Sequence, residues 1–322
     1  MQALRFTRYG PPAEVLRLED VEIPVPGEGE VRVRVHAASI NPVEWHFVRG
    51  EPLLVRAIAG LRAPKDSKVG GDFAGVVDAV GSGATGFAAG DEVFGVADGA
   101  LAEFACAKTD RIARKPPHMR FDEAASIGVA GSTALQALRD HAQIQPGQRV
   151  LLIGAAGGVG SFAVQIAKAL GAEVTGVCSA ANLDFVRSLG ADHVLDYACE
   201  TPTGPYDVVL QLAGDETIGR LRRLLEPRGT LVIVGLGVGR DGAHGVVGPL
   251  ARMAKARILS RKSGKRVKTF IAKIRTEDLE TLAQLVTPHV ERIYPLAETA
   301  AALAVIEGGH VRGKLAVVTL RA

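Results

Sequence analysis

Val150-Leu151-Leu152-Ile153-Gly154-Ala155-Ala156-Gly157-Gly158-Val159-Gly160-Ser161 is the stretch whose reading decides the fold. Four apolar residues in succession suit a strand buried on both faces. The glycine-rich turn that follows opens into a segment of helical spacing, Ser161 to Leu170, stopped by Gly171. Such an order offers free N–H groups and the positive end of a helix dipole to a phosphate. The usual dinucleotide spacing is GxGxxG. Here Ala155 takes the first glycine position, while Gly157 and Gly160 keep the other two. Gly157 would let a pyrophosphate approach the backbone, and Gly160 would let helix and strand pack closely. The candidate cofactor residues are therefore Gly154, Ala155, Ala156, Gly157, Gly158, Val159 and Gly160. A structural turn without a ligand is the alternative reading.

Downstream the same rhythm repeats. Glu173 to Cys178, His193 to Asp196, Asp207 to Leu212 and Thr230 to Val234 read as strands, and Asn182 to Leu189 as a helix. Strands alternating with helices specify a doubly wound parallel sheet. The end of the second strand bears on which dinucleotide is bound. Sites for NAD place Asp or Glu there to accept from the ribose 2′-hydroxyl. This chain has Cys178-Ser179-Ala180-Ala181-Asn182, so an acid that would repel a 2′-phosphate is replaced by Ser179 and Asn182. NADPH is the expected cofactor, although that turn holds no Arg or Lys. Ser179 and Asn182 also suit a helix cap.

Upstream, Val31-Arg32-Val33-Arg34-Val35 alternates with the period of a half-buried strand. Asp72 to Val80 and Glu92 to Val96 read as further strands, so a small antiparallel barrel or sandwich is expected. Helices are expected from about Asp122 and over Ser132 to His141. In the tail, Thr276 to Leu285 and Ala297 to Ile306 read as helices and Lys314 to Leu320 as a strand returning to the first domain. With 322 residues the chain is long enough for two domains, set at 1–120 with 262–322 and at 121–261. Three separated cysteines, Cys106, Cys178 and Cys199, exclude a four-cysteine structural zinc site. No apolar run reaches the roughly 18 residues of a membrane span, and no signal peptide is read, so a cytoplasmic protein is expected.

Several motifs in order resemble the medium-chain dehydrogenase/reductases, in their zinc-independent quinone oxidoreductase branch. They are Ser39-Ile40-Asn41-Pro42-Val43-Glu44-Trp45-His46, Gly71-Asp72-Phe73-Ala74-Gly75 with Gly81, Gly90-Asp91-Glu92-Val93, the 154–160 turn, Ser188-Leu189-Gly190-Ala191-Asp192 and Gly313-Lys314. The resemblance implies a GroES-like β-rich catalytic domain with a Rossmann domain, the cofactor between them, and a homodimer. It implies that Asn41 lines the nicotinamide end and Thr133 the carboxamide or ribose. Gly214, Gly235 and Leu236 would border the nicotinamide ribose, Tyr197 the adenosine 2′-phosphate, and Lys314 the cofactor. The catalytic zinc positions of related members fall on Asn41, Gly71 and Val129, which cannot hold the metal, so no zinc is expected.

Without zinc, the resemblance implies hydride transfer to a quinone or an α,β-unsaturated carbonyl (enone), acceptors that delocalise the incoming charge. Asn41 and His46 are the catalytic candidates. His46 aligns with a proton-relay position and titrates in the neutral range. Packing beside Trp45 is its other reading. Asp72 is expected to hydrogen-bond locally beneath the active site. The acid-free run between Asp241 and Glu277 carries Arg252, Lys255, Arg257, Arg261, Lys262, Lys265, Arg266, Lys268, Lys273 and Arg275. A solvated helix and loop is its plain reading; an anionic substrate group or phosphate contact with nucleic acid is the functional one. Nucleic acid is not the expected partner, since no aromatic interleaves these bases before Phe270. The alternatives are an NADPH-binding sensor or nucleic-acid binder with little catalysis, and a zinc alcohol dehydrogenase.

Overall fold

The computed structural model describes residues 1–214, 216–234 and 264–319. Gly235, Leu236 and the bases Arg252, Lys255, Arg257, Arg261 and Lys262 lie outside the described residues. The chain divides into two compact units, Met1–Ser132 with Lys273–Ala322, and Thr133–Ala272. Both boundaries fall C-terminal to those read from the sequence, for two packing reasons. The helix α4 (Phe121–Ala125) lies against the strands of the first unit. The strand Arg266–Thr269 pairs into the sheet of the second. The tail returns to the first unit, as expected.

The first unit is built around a long strand. β1 (Gln2–Arg5) and β2 (Arg17–Asp20) pair with each other, flanking the short helix α1 (Pro12–Val15). β3 (Glu30–Ile40), β4 (Asp72–Val80), β5 (Glu92–Val96), β6 (Phe104–Lys108) and β7 (Ile112–Arg114) then form the main sheet with two strands from the tail. Val31, Val33 and Val35 of β3 are fully buried, while Arg32 and Arg34 between them are not, so the alternation sets which face meets the core. Two helices unforeseen in the sequence follow β3, α2 (Pro42–Arg49) and α3 (Leu53–Ala59).

α5 (Gly128–Gln136) begins in the first unit and carries the chain into the second, running into a π-helical turn at Ala137–Ala142 that ends at Gln143 in the left-handed region. The sheet of the second unit comprises β8 (Arg149–Ile153), β9 (Glu173–Cys178), β10 (His193–Asp196), β11 (Tyr206–Gln211), β12 (Leu225–Ile233) and β13 (Arg266–Thr269). The spatial order is β10-β9-β8-β11-β12-β13 and every pairing is parallel. This is the 3-2-1-4-5-6 order of a doubly wound dinucleotide fold, with its switch point between β8 and β11. α6 (Gly158–Ala169), α7 (Leu183–Ser188) and α8 (Ile218–Arg223) connect the strands. Val150, Leu151 and Leu152 are fully buried, as a central parallel strand requires.

The helix-and-loop reading of the basic run is corrected over Arg266–Thr269, which is a strand on the sheet edge. Two bases there are tied in. Lys265 Nζ donates to the carbonyls of Arg222 and Leu225, and Arg266 Nε to Thr230 Oγ1. The tail completes the first unit with the helix Thr276–Leu285, β14 (Val290–Pro295), the helix Thr299–Gly308 and β15 (Lys314–Val318). β15 pairs antiparallel with β3, Leu315 opposite Ile40.

Candidate functional site

In the second unit the turn after β8 lies at the carboxyl end of the sheet, at the switch point where such folds bind ligands. The N–H groups of Gly154 and Ala155 both donate to Val177 O at 3.0 Å, fixing the turn to β9. Gly157 caps α6 with extended backbone, and Ser161 N–H returns to its carbonyl at 2.8 Å. The first-turn N–H groups of Gly158, Val159 and Gly160 precede any i−4 carbonyl of that helix and point outward from it.

The two glycines of the motif are glycines for different reasons. A Cβ on Gly160 would stand 2.1 Å from Gly154 O and 2.7 Å from Ala155 C, so close helix–strand packing requires the missing side chain. A Cβ on Gly157 would have only Gly154 O nearby, at 3.7 Å. Among the described residues no protein atom demands that glycine, and the space beside it is open. Gly214, after β11, has φ +76° with open space where its Cβ would be. The residues present fit a dinucleotide.

At the end of β9, Asn182 Nδ2 donates to Ser179 Oγ and Asn182 N–H to Ser179 O, so the turn is closed by its own side chains. Tyr197 N–H donates to Cys178 O at 3.1 Å, which ties its backbone to the end of β9, and the residue is 60% exposed. Asp196 is opposite Cys178 in the sheet and its carboxylate accepts the Ala198 N–H. Burial and the charge of Asp196 push the Cys178 thiol up to about 11, so it is a small buried hydrophobe at neutral pH. Arg187, the nearest base in the following helix, is paired with Asp184 at 2.7 Å. Thr133, on α5, is buried.

In the first unit, Asn41, Glu44, Asp72 and Lys314 form a buried polar cluster, 5%, 7%, 0% and 3% exposed. Asn41 follows β3, Asp72 begins β4 and Lys314 begins β15. The register, Ser39 opposite Asp72 and Leu315 opposite Ile40, brings the three strand ends together. Asn41 Nδ2 donates to Asp72 Oδ2 at 2.9 Å, and Lys314 Nζ donates to Asn41 Oδ1 at 2.5 Å and Ile40 O at 3.1 Å. Val129 N–H donates to Asp72 Oδ1 at 2.8 Å, so Asp72 does bond locally. Glu44, at the third position of α2, accepts the Asn41 N–H at 2.8 Å, half of a capping box. Burial, reinforced by Asp72, pushes its carboxyl up to about 7. Burial raises the Asp72 pKa against the pull of Lys314, and lowers that of Lys314 against the pull of both acids.

Sequence reasoning named Asn41 and Lys314 and missed Glu44, although Asn41-Pro42-Val43-Glu44 is a helix-start signature. Lys314 is enclosed by Asn41, Ile40 and Asp72, a position from which it serves the protein's own amide. The zinc positions do not fit the metal. Asn41 spends its carboxamide on Asp72 and Lys314, Gly71 has no side chain, and Val129 offers only its N–H. Among the described residues no group of three His, Cys, Asp or Glu is placed to hold a metal. His46 stacks on Trp45 with ring centroids 3.8 Å apart, and its Nδ1 lies 2.7 Å from Glu51 O. The carbonyl requires a proton on Nδ1, which leaves Nε2 an acceptor in the neutral ring. Burial lowers its pKa.

Residues 27–178 match the alcohol dehydrogenase GroES-like domain, and 189–317 the family described as zinc-binding dehydrogenase. A chloroplast envelope quinone oxidoreductase homolog of Arabidopsis thaliana is 34% identical across 98% of both chains. The chain is a medium-chain dehydrogenase/reductase of the quinone oxidoreductase-like branch. Among solved structures, the Escherichia coli quinone oxidoreductase complexed with NADPH superposes with a TM-score of 0.82. It is 26% identical over 99% of this chain and all of that one. The CurK enoyl reductase gives a TM-score of 0.82 at 25% identity over 99% of both. This medium-chain dehydrogenase/reductase is accordingly an oxidoreductase. No helix among its described residues is long and apolar enough to cross a membrane.

Proposed function

We propose that the protein is an NADPH-dependent oxidoreductase that reduces quinones or α,β-unsaturated carbonyl compounds without a metal. The observation that carries the reading is the turn 154–160, closed around Gly160 and open at Gly157, at the switch point of a 3-2-1-4-5-6 sheet. When bound, NADPH supplies a hydride. The N–H groups of Gly158 to Gly160 hold the pyrophosphate, and Gly214 and Thr133 border the nicotinamide ribose. Ser179, Asn182 and Tyr197 receive the adenosine 2′-phosphate, which no carboxylate in that turn repels. The NADPH named in the E. coli structure supports the same choice. The family likeness assigns Asn41 to the nicotinamide end.

The donor set at positions 41, 71 and 129 routes no step through zinc. Quinones and enones spread the arriving negative charge onto an oxygen, where hydrogen bonds suffice to stabilise it. His46 with its lowered pKa carries no acidic proton on Nε2 in the neutral ring, so water supplies the proton there and His46 supplies it only where the ring is protonated. Steady-state assays with NADPH and NADH over a panel of quinones and enones test the reading. Turnover with kcat/KM at least about tenfold higher for NADPH is expected. Absence of turnover together with absence of NADPH binding overturns it.

A further inference from the structure

We propose that Lys314 and Asp72 are positioning residues that lock the polarity of the Asn41 carboxamide, fixing which end of that amide presents oxygen and which presents N–H. An ammonium only donates and an ionised carboxylate only accepts. Lys314 Nζ meets Asn41 Oδ1 at 2.5 Å while Asp72 Oδ2 takes the Nδ2 proton at 2.9 Å. Both Asp72 oxygens accept hydrogen bonds, Oδ1 from the Val129 N–H, the pattern of an ionised group. Turning the amide over would set NH₂ against the ammonium and the carbonyl against the carboxylate, two repulsive contacts in place of two attractive ones. A pair of neutral neighbours would tolerate either orientation.

The lock is built into the sheet. Each partner sits on its own strand and is anchored there, Lys314 by Ile40 O and Asp72 by the Val129 N–H. Lys314 Nζ lies 3.7 Å from Asp72 Oδ2, so the two buried charges also offset each other. An amide has two N–H groups and two lone-pair directions, and the lock uses one of each. The remaining donor and acceptor of Asn41 therefore point in fixed directions. This inference rests on the assignment of Asn41 to the reacting end of the cofactor.

The test uses the full-length protein. Asp72→Asn with Lys314→Met removes both charges together, and Lys314→Gln keeps a donor on Oδ1 without the charge. In the protein without cofactor, the Asn41 side-chain ¹⁵N–¹H₂ signals should be dispersed and slow to exchange in the wild type and in Lys314→Gln. In the double variant they should be averaged. With NADPH and a good acceptor, the double variant should lose about tenfold or more in kcat while the NADPH Kd stays within about threefold. Adding Asn41→Ala to it should cost nothing further, as expected of residues that act through Asn41. Lys314→Gln, which leaves the Asp72 side of the lock in place, should lose less kcat than the double variant. Unchanged Asn41 amide signals in the double variant, or a Lys314→Gln as slow as Asn41→Ala, overturns the lock. An Asn41→Ala variant with wild-type kcat overturns the underlying assignment and the lock with it. If the double variant melts below assay temperature, Lys314→Gln alone decides by the same two readouts.

Discussion

Gly157→Ala and Gly160→Ala differ by three residues and should fail in opposite ways. At Gly160 the new methyl would enter between backbone atoms, 2.1 Å from Gly154 O and 2.7 Å from Ala155 C, and neither can move without opening the joint between β8 and α6. Overpacking of that kind costs about 1–3 kcal/mol or more. At roughly 2–4 °C of Tm per kcal/mol in a domain this size, a fall of about 5–10 °C is expected. At Gly157 the backbone has φ −76° and ψ −179°, ordinary for alanine, and the methyl meets only Gly154 O at 3.7 Å. The weaker helix cap and the stiffer unfolded chain nearly offset, so stability should change by less than about 1 kcal/mol. That methyl would instead occupy the approach of the pyrophosphate, and NADPH should bind about tenfold more weakly or worse, about 1.4 kcal/mol. Thermal melts and NADPH fluorescence titrations on both variants decide. A Gly157→Ala protein that melts and binds NADPH like the wild type refutes the phosphate assignment. A Gly160→Ala protein with wild-type Tm refutes the packing argument.

Glu44→Gln should change how stability depends on pH. The folded carboxyl titrates near 7 against 4.5 for an ordinary glutamate, so protonation favours the folded state. The wild type should therefore lose stability relative to Glu44→Gln between pH 4.5 and about 7, by about 3 kcal/mol in all, read by urea titrations across that range. A pH-independent difference would place the proton elsewhere. His46→Ala should keep kcat within about threefold at pH 8 and lose more as the solution becomes acidic, because only the imidazolium has a proton on Nε2. An equal loss at every pH would make its role one of packing. Tyr197→Ala should weaken NADPH severalfold and leave NADH unchanged, since its backbone is tied to Cys178 at the end of β9, next to Ser179 in the chain; equal losses for both would remove it from the 2′-phosphate site.

Much of the fold was legible because local chemistry and final structure agree. Asp72–Val80, Glu92–Val96, Glu173–Cys178, His193–Asp196 and Thr276–Leu285 carry their period and stop signals within themselves. β13 did not. Arg266-Val267-Lys268-Thr269 offers one buried apolar residue among charges, and only pairing with β12 makes it a strand. α2 was overlooked despite its cap signals because eight residues in a strand-rich stretch contain too few turns for a period to show. The glycine turn was readable as a motif, yet not the division of labour within it, since Gly157 and Gly160 look alike until their surroundings are known. Lys314 was named, but its contact with Asn41 was not legible, because it spans 273 positions and depends on the register of β15 against β3.

That span also has a temporal meaning. Asn41 leaves the ribosome long before residue 314, and domains fold as they emerge. The second unit, Thr133–Ala272, can assemble its glycine turn while the tail is still being made. The buried Asp72 carboxylate must meanwhile stay wet or protonated, because its fixed cation arrives only when β15 docks. A chain cut short before β15 would thus keep its glycine turn while the Asn41 cluster stayed unfinished, a built-in distinction between a partial product and a complete one.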